Sequence, residues 1–208
     1  MGIITISREL GAGETTVVPA LAARLGWRMA DQSVLNREAE ITGITLPYAV
    51  HWDEHDPTLA ERLHGQGPEF AAFLKSARQV MGELAAEGNI IIVGRAGSLL
   101  LRGHPDTLHV RLIADMPFRV RRVMEARWVS EQPARDIIAK SDRNKALYFR
   151  HIFQVSWGDP KLYDLVIRTD AVGIARVVDL LAGFFEHPAP PLPEAGSGPV
   201  SEAEAPRA

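Results

Sequence analysis

The residues best suited to chemistry lie near the start of the chain, where Arg8 is followed by Gly11, Ala12, Gly13, Glu14, Thr15 and Thr16. Two glycines let a backbone turn sharply, and a helix beginning after them offers unpaired N–H groups and its positive dipole end to an anion. Phosphate is the expected guest. Set against the phosphate-loop pattern G-x-x-x-x-G-K-[ST], Gly13 and Thr15 match, Arg8 stands at the first glycine and Glu14 at the lysine; the Thr15 hydroxyl is then the expected contact for Mg²⁺. Set against the dinucleotide pattern G-x-G-x-x-G, Gly11 and Gly13 match and Thr16 takes the third place, with Asp31 at the distance of the ribose-binding acid. A strand-to-helix turn without a ligand is the third reading.

Pro19 would fall well inside a helix that starts at Gly13, so a later start is expected, with Thr16 as N-cap and Pro19 in the first turn. A carboxylate about 4 Å from a phosphate charge is repelled by on the order of 4 kcal/mol at an effective dielectric near 20. Glu14 is therefore expected to point away from the phosphates, and Arg8 to supply the charge that the missing lysine would bring.

A second signal lies downstream. The chain carries a formal charge of −3, yet from Arg119 to Arg150 nine Lys or Arg face four Asp or Glu, leaving −8 for the remainder. Such a segment suits a polyphosphate, whereas the overall charge gives no argument for nucleic acid. Solvated helix faces, with arginine stems covering apolar surface, are the plain alternative for part of the Arg119–Arg127 cluster.

These residues need elements to position them. Ile3, Ile4 and Ile6 suit a strand buried on both faces, followed by a helix that Gly26 ends as a left-handed cap. Trp27 to Ala30 reads as a short second strand with Asp31 at its end, and Arg37 lies about one and a half turns into a helix starting near Gln32. Pro68 to Glu87 has apolar residues at helical spacing and stops at Gly88. Asn89 to Arg95 is the clearest buried strand and leaves Arg95, an anion-site candidate, at the sheet's ligand-facing edge. Thr107 to Ala114 and Tyr163 to Thr169 give a fourth and fifth strand, Asp115 caps a helix with Pro117 in its first turn, and a last helix runs from about Gly173 to Phe185. Strands alternating with helices predict a parallel sheet covered on both faces.

A chain of 208 residues, 46% hydrophobic, is expected to form one domain over residues 1–186. The absence of cysteine excludes disulfides and thiolate zinc sites. Met1 leads directly into strand-like sequence and no apolar run approaches membrane-spanning length, so a cytoplasmic protein without a membrane partner is expected. His51 and His55 have helical spacing beside acidic residues, but no metal motif surrounds them and they read as part of a solvated acidic loop. The 22 residues from His187 hold six prolines and few large apolar side chains, and are expected to be disordered.

Three stretches together resemble the cytidylate kinase-like branch of the nucleoside monophosphate kinases: Ile4-Thr-Ile-Ser-Arg-Glu-Leu-Gly-Ala-Gly13, Ile92-Val-Gly-Arg95, and Ser156-Trp-Gly-Asp-Pro-Lys-Leu-Tyr-Asp-Leu165. The likeness implies a P-loop kinase-like three-layer α/β/α fold with a central parallel five-stranded sheet. It also implies a helical monophosphate-binding insert, matching residues 45–87, and an arginine-rich lid, matching residues 119–157. The implied activity is ATP- and Mg²⁺-dependent phosphorylation of a nucleoside monophosphate, CMP or dCMP first. Asp31, Arg37 and Arg95 fall where the family binds its acceptor. The family's acid after the Gly-Arg pair is Ala96 here. In the family's Arg-Asp-x-x-Asp lid motif Asp142 fits, whereas Ser141 and Lys145 depart from it. Arg8, Asp142 and Arg143 are accordingly assigned to the catalytic centre, and Arg122, Lys145 and Arg150 to the lid. A regulatory protein of the same fold without turnover is the alternative, carried by the missing lysine, and a dinucleotide-binding oxidoreductase is third.

Overall fold

The computed structural model describes residues 2–30 and 68–186 of the chain. Asp31, Arg37, His51, His55, the insert before Pro68 and the tail from His187 lie outside the described residues.

The elements are β1 (Ile3–Arg8), α1 (Glu14–Leu25), β2 (Arg28–Ala30), α2 (Pro68–Ala86), β3 (Ile90–Val93), α3 (Gly97–Leu100), β4 (Thr107–Ile113), α4 (Met116–Arg127), α5 (Glu131–Phe153), β5 (Leu165–Arg168), α6 (Thr169–Val172) and α7 (Ile174–Glu186). The strands lie in the order β2-β3-β1-β4-β5. All four pairings are parallel, with Ile6 of β1 opposite both Val93 and Val110. Alternation along the strands sends side chains to opposite faces. On one face Ile4, Ile6, Ile91, Val110 and Leu112 pack against Val17 and Leu21 of α1 and Val177 and Leu181 of α7. On the other, Ile3, Ile90 and Ile92 meet α2, α3 and the end of α5, where Tyr148, Phe149 and Trp157 fill the layer. Helices, sheet and helices make a three-layer α/β/α fold with a central parallel five-stranded sheet.

Two expected features are corrected. Helix α1 does not wait for Thr16: Gly13 is its N-cap, the Gly13 carbonyl accepts from the N–H of Thr16 and Val17, and Pro19 sits inside the helix. A proline there costs about 3 kcal/mol. The helix as a whole carries this cost by burying Val17, Val18 and Leu21 against the sheet, worth about 1.5–3 kcal/mol each. The fifth strand also ends one residue early, because Thr169 begins α6.

Capping at α4 follows the sequence, since the Asp115 carboxylate accepts from the Phe118 N–H at 2.9 Å with Pro117 in the first turn. Helices α4 and α5 form a hairpin with a small core of its own, Val120, Val123, Ala134 and Ile138, onto which Leu10 of the glycine turn packs.

Polar groups run through the layer between β1, β4 and α5. His109 of β4 is buried and its Nδ1 lies 2.7 Å from the Thr5 hydroxyl. Burial lowers its pKa below the ordinary 6.5; the Asp164 carboxylate opposes this and Arg102 adds to it. The fold therefore prefers neutral His109. Its stabilising contribution is complete above the unfolded-state pKa and is lost as pH falls from about 6.5 toward the folded-state value, because the unfolded chain then binds more protons. Urea unfolding at pH 7.5 and pH 5.5 is expected to show a stability loss that His109→Gln reduces. Equal losses in both proteins would exclude His109 as the source.

Candidate functional site

The glycine turn joins the carboxyl end of β1, in the middle of the sheet, to α1. Gly11 has φ 81° and Gly13 φ 97°, the left-handed region open to glycine. At Gly11, space forbids a side chain as firmly as the torsions do. A Cβ on Gly11 would stand 2.7 Å from the Arg119 carbonyl oxygen, and one on Gly13 would stand 2.4 Å from Ile174 Cδ1. Among the described residues, no protein group accepts from the N–H of Gly11, Gly13, Glu14 or Thr15. Four open donors at a helix N-terminus form a cradle for an anion.

Cations surround this cradle. Arg122 of α4 donates from Nη2 to the Thr16 hydroxyl at 2.7 Å. Arg119, 4% exposed, donates from Nε to the Leu10 carbonyl at 2.8 Å and from Nη2 to both oxygens of Asp142 at 2.8 and 2.9 Å. Its Nη1 lies 3.4 Å from Glu9, which also faces Arg111 at 3.7 Å and accepts from the Ala114 N–H. Arg111 is buried, donates to the Trp157 carbonyl at 2.7 Å and stacks its guanidinium 4.0 Å from the Trp157 ring. Thr169 Oγ1 donates to the Ala12 carbonyl at 2.6 Å.

The residues singled out from sequence are distributed as follows. Arg8 ends β1 beside the turn, and its carbonyl accepts from Lys145 Nζ at 2.8 Å. Lys145, assigned to the lid, is 1% exposed and lies beneath the turn and over the Trp157 ring. Asp142 has both oxygens on Arg119, which makes it a brace for that guanidinium. Arg143 and Arg150 are exposed on α5, and Arg150 borders a cavity of about 490 Å³ with Ser156, Trp157 and Gly158. Thr15 is exposed and its hydroxyl is free among the described residues, whereas the Thr16 hydroxyl is taken by Arg122. One Glu14 oxygen, Oε2, is buried without a hydrogen-bond partner. Arg95 is 3% exposed and follows β3 in a run of left-handed residues, Gly94, Arg95 and Ala96 at φ 78°, 58° and 52°. Non-glycine residues held there store about 1–3 kcal/mol of strain apiece, a feature that concentrates at functional sites.

Sequence reasoning missed Glu9, Arg111 and Thr169 as parts of this network. For Arg111 a signal existed, because a guanidinium between Val110 and Leu112 in a buried strand must be paired. Thr169 carried none.

The family model described as the cytidylate kinase-like family matches residues 3–171. The chain belongs to the cytidylate kinase-like family. Among curated relatives of this cytidylate kinase-like chain, the cytidylate kinase of Ignicoccus hospitalis is 26% identical over 182 residues, 87% of this chain and 97% of that one. A uronate isomerase of Corynebacterium glutamicum is 33% identical over 117 residues, 55% of this chain but 23% of that one, so the chain spans about a quarter of that relative. Of solved structures, an uncharacterized protein from Eubacterium ventriosum aligns with a TM-score of 0.67 at 21% identity, covering 90% of this chain and 99% of that one. A shikimate kinase from Bacteroides thetaiotaomicron aligns at 0.50 and 17% identity, covering 89% and 98%. These two likenesses concern the fold. Among the described residues no helix is long and apolar enough to cross a membrane.

Proposed function

We propose that this protein transfers the γ-phosphoryl group of ATP to a nucleoside monophosphate, CMP or dCMP first. The observation that supports this best is the cradle of four open N–H groups at the carboxyl end of the central strand, in a chain of this family.

Phosphoryl transfer spreads charge over equatorial oxygens, so catalysis consists mainly of alignment and electrostatic stabilisation. In this reading Gly11, Ala12, Gly13, Glu14, Thr15 and Thr16 hold the donor phosphates through backbone N–H groups. Arg8, Arg122, Arg143 and Arg150 supply charge, while Asp142 and Lys145 act from beneath by fixing Arg119 and the Arg8 carbonyl. Asp31, Arg37 and Arg95 hold the acceptor. The hydroxyl of Thr15 fits Mg²⁺, which in kinase sites keeps several waters, takes phosphate oxygens and needs few protein ligands. When bound with ATP, the ion neutralises phosphate charge. A phosphate-binding regulatory protein without turnover is the second reading, favoured by Glu14 at the lysine position.

A coupled ADP-release assay with ATP and Mg²⁺ across CMP, dCMP, UMP, AMP and GMP separates the two. Acceptor-dependent release is expected, fastest with CMP or dCMP. Arg95→Ala is expected to raise the acceptor's dissociation constant about ten- to a hundredfold, the consequence of losing a charge-assisted contact worth about 1.5–3 kcal/mol. A folded protein silent across the panel would support the regulatory reading, and unchanged acceptor binding in Arg95→Ala would remove that residue from the site.

A further inference from the structure

In a planar trans peptide the carbonyl of one residue and the N–H of the next point to opposite sides, so whatever captures the carbonyl also aims the N–H. The described residues contain no cis peptide bond. Leu10 C=O shares a peptide unit with Gly11 N–H, and it accepts from Arg119 Nε at 2.8 Å. Ala12 C=O shares one with Gly13 N–H, and it accepts from Thr169 Oγ1 at 2.6 Å. Both glycine N–H groups are turned away from these donors and belong to the open set of the cradle. Each of these peptides is followed by a glycine whose φ is little restricted, so an unanchored turn would sample more than one orientation of these donors.

We propose that Arg119 and Thr169 are the positioning residues of the anion cradle, each capturing one loop carbonyl from behind so that the next glycine N–H faces the phosphate. This deepens the reading of the turn as the donor-phosphate site and rests on it.

Both anchors are themselves held. Arg119 is clamped by both oxygens of Asp142 and by Glu9, at 5% side-chain exposure. Thr169 is 1% exposed at the first position of α6, and its hydroxyl has a second, longer acceptor in the Ile113 carbonyl at 3.3 Å. One anchor comes from α4, after β4, and the other from the start of α6, after β5, so the cradle is aligned only when the segments following both strands have packed. The Arg119 carbonyl also lies 2.7 Å from where a Cβ on Gly11 would stand, which brings the base of the α4–α5 hairpin against the turn. Motion of a lid over the phosphates would then take place beyond Arg119.

The test uses the full chain with Thr169→Val, which keeps the shape and removes the donor, Thr169→Ser, which keeps the donor, and Arg119→Lys, which lacks the fork needed to reach Leu10 and Asp142 together. Calorimetry with Mg-ATP and with tripolyphosphate is expected to show Thr169→Val and Arg119→Lys binding about tenfold more weakly, and Thr169→Ser close to the parent. Arg121→Met, which removes an exposed charge from the same helix, is expected to bind as the parent does. Amide order parameters without ligand give a second measure: Gly13 in Thr169→Val and Gly11 in Arg119→Lys should fall from about 0.85 toward 0.6. Unchanged order at the matching glycine, or Thr169→Ser as weak as Thr169→Val, overturns the proposal. If the parent binds neither ligand, the donor-site reading fails, and the order parameters still decide whether these side chains fix the peptide planes.

Discussion

A Gly11→Ala protein is expected to lose both stability and phosphate binding. The added Cβ would sit 2.7 Å from the Arg119 carbonyl oxygen and 3.1 Å from its Cα, which are backbone atoms of a packed helix that cannot rotate aside. Left-handed torsion adds about 1–2 kcal/mol for a residue with a Cβ. Overpacking against fixed atoms typically adds about 1–3 kcal/mol more. At about 2–4 °C per kcal/mol for a domain of this size, the melting temperature should fall by roughly 10 °C. The turn relieves the clash by moving away from α4, which draws the Leu10 carbonyl off Arg119 and misaligns the Gly11 donor. Thermal unfolding and Mg-ATP titration check the two parts. A melting temperature within about 2 °C of the parent would show that the turn has room to shift.

The second large effect concerns the charge at position 14. Arg8→Ala is expected to weaken ATP binding by about 1.5–3 kcal/mol, whereas Glu14→Ala is expected to leave it equal or tighter. The structure adds an expectation about stability. A carboxylate oxygen buried without a hydrogen-bond partner, as Glu14 Oε2 is, carries a desolvation cost of about 1–3 kcal/mol that removal relieves. Glu14→Ala should therefore also be at least as stable as the parent. Binding isotherms at low and moderate salt separate charge from packing, since a purely electrostatic gain shrinks as salt screens it. The reverse pattern, with Glu14→Ala unable to bind and Arg8→Ala silent, would assign Glu14 to a metal or a ribose.

Much of the frame was legible in the residues. Ile3, Ile4 and Ile6 could only be a strand covered on both faces; Gly26 and Gly88 ended helices in left-handed conformation; Asp115 capped α4 with Pro117 behind it. These are local matters, decided within a few residues by torsional preference and hydrogen-bond geometry. The position of Arg95 at the end of β3 was also legible, because a strand of four apolar residues closed by Gly94 leaves the next side chain at the sheet's edge. Reading the start of α1 from Pro19 failed for the opposite reason. The penalty is local, whereas tertiary contacts fix the turn, with Thr169 holding the Ala12 carbonyl and Ile174 packed over Gly13.

By itself the sequence determined the parallel strands with helices on both faces, the glycine turn after the first strand and the family, since these depend on residue type and spacing along one segment. The tertiary structure alone decided what each charge does. Arg119, Lys145 and Asp142 look alike in sequence as members of a basic lid, yet one holds the Leu10 carbonyl, one the Arg8 carbonyl, and the third holds Arg119. Thr169 reaches Ala12 across 157 positions. A long polar side chain bonds whatever acceptor lies within about 3 Å once the layers have packed. Which carbonyl that is depends on the registers of strands and helices distant in the chain, and no local pattern encodes it.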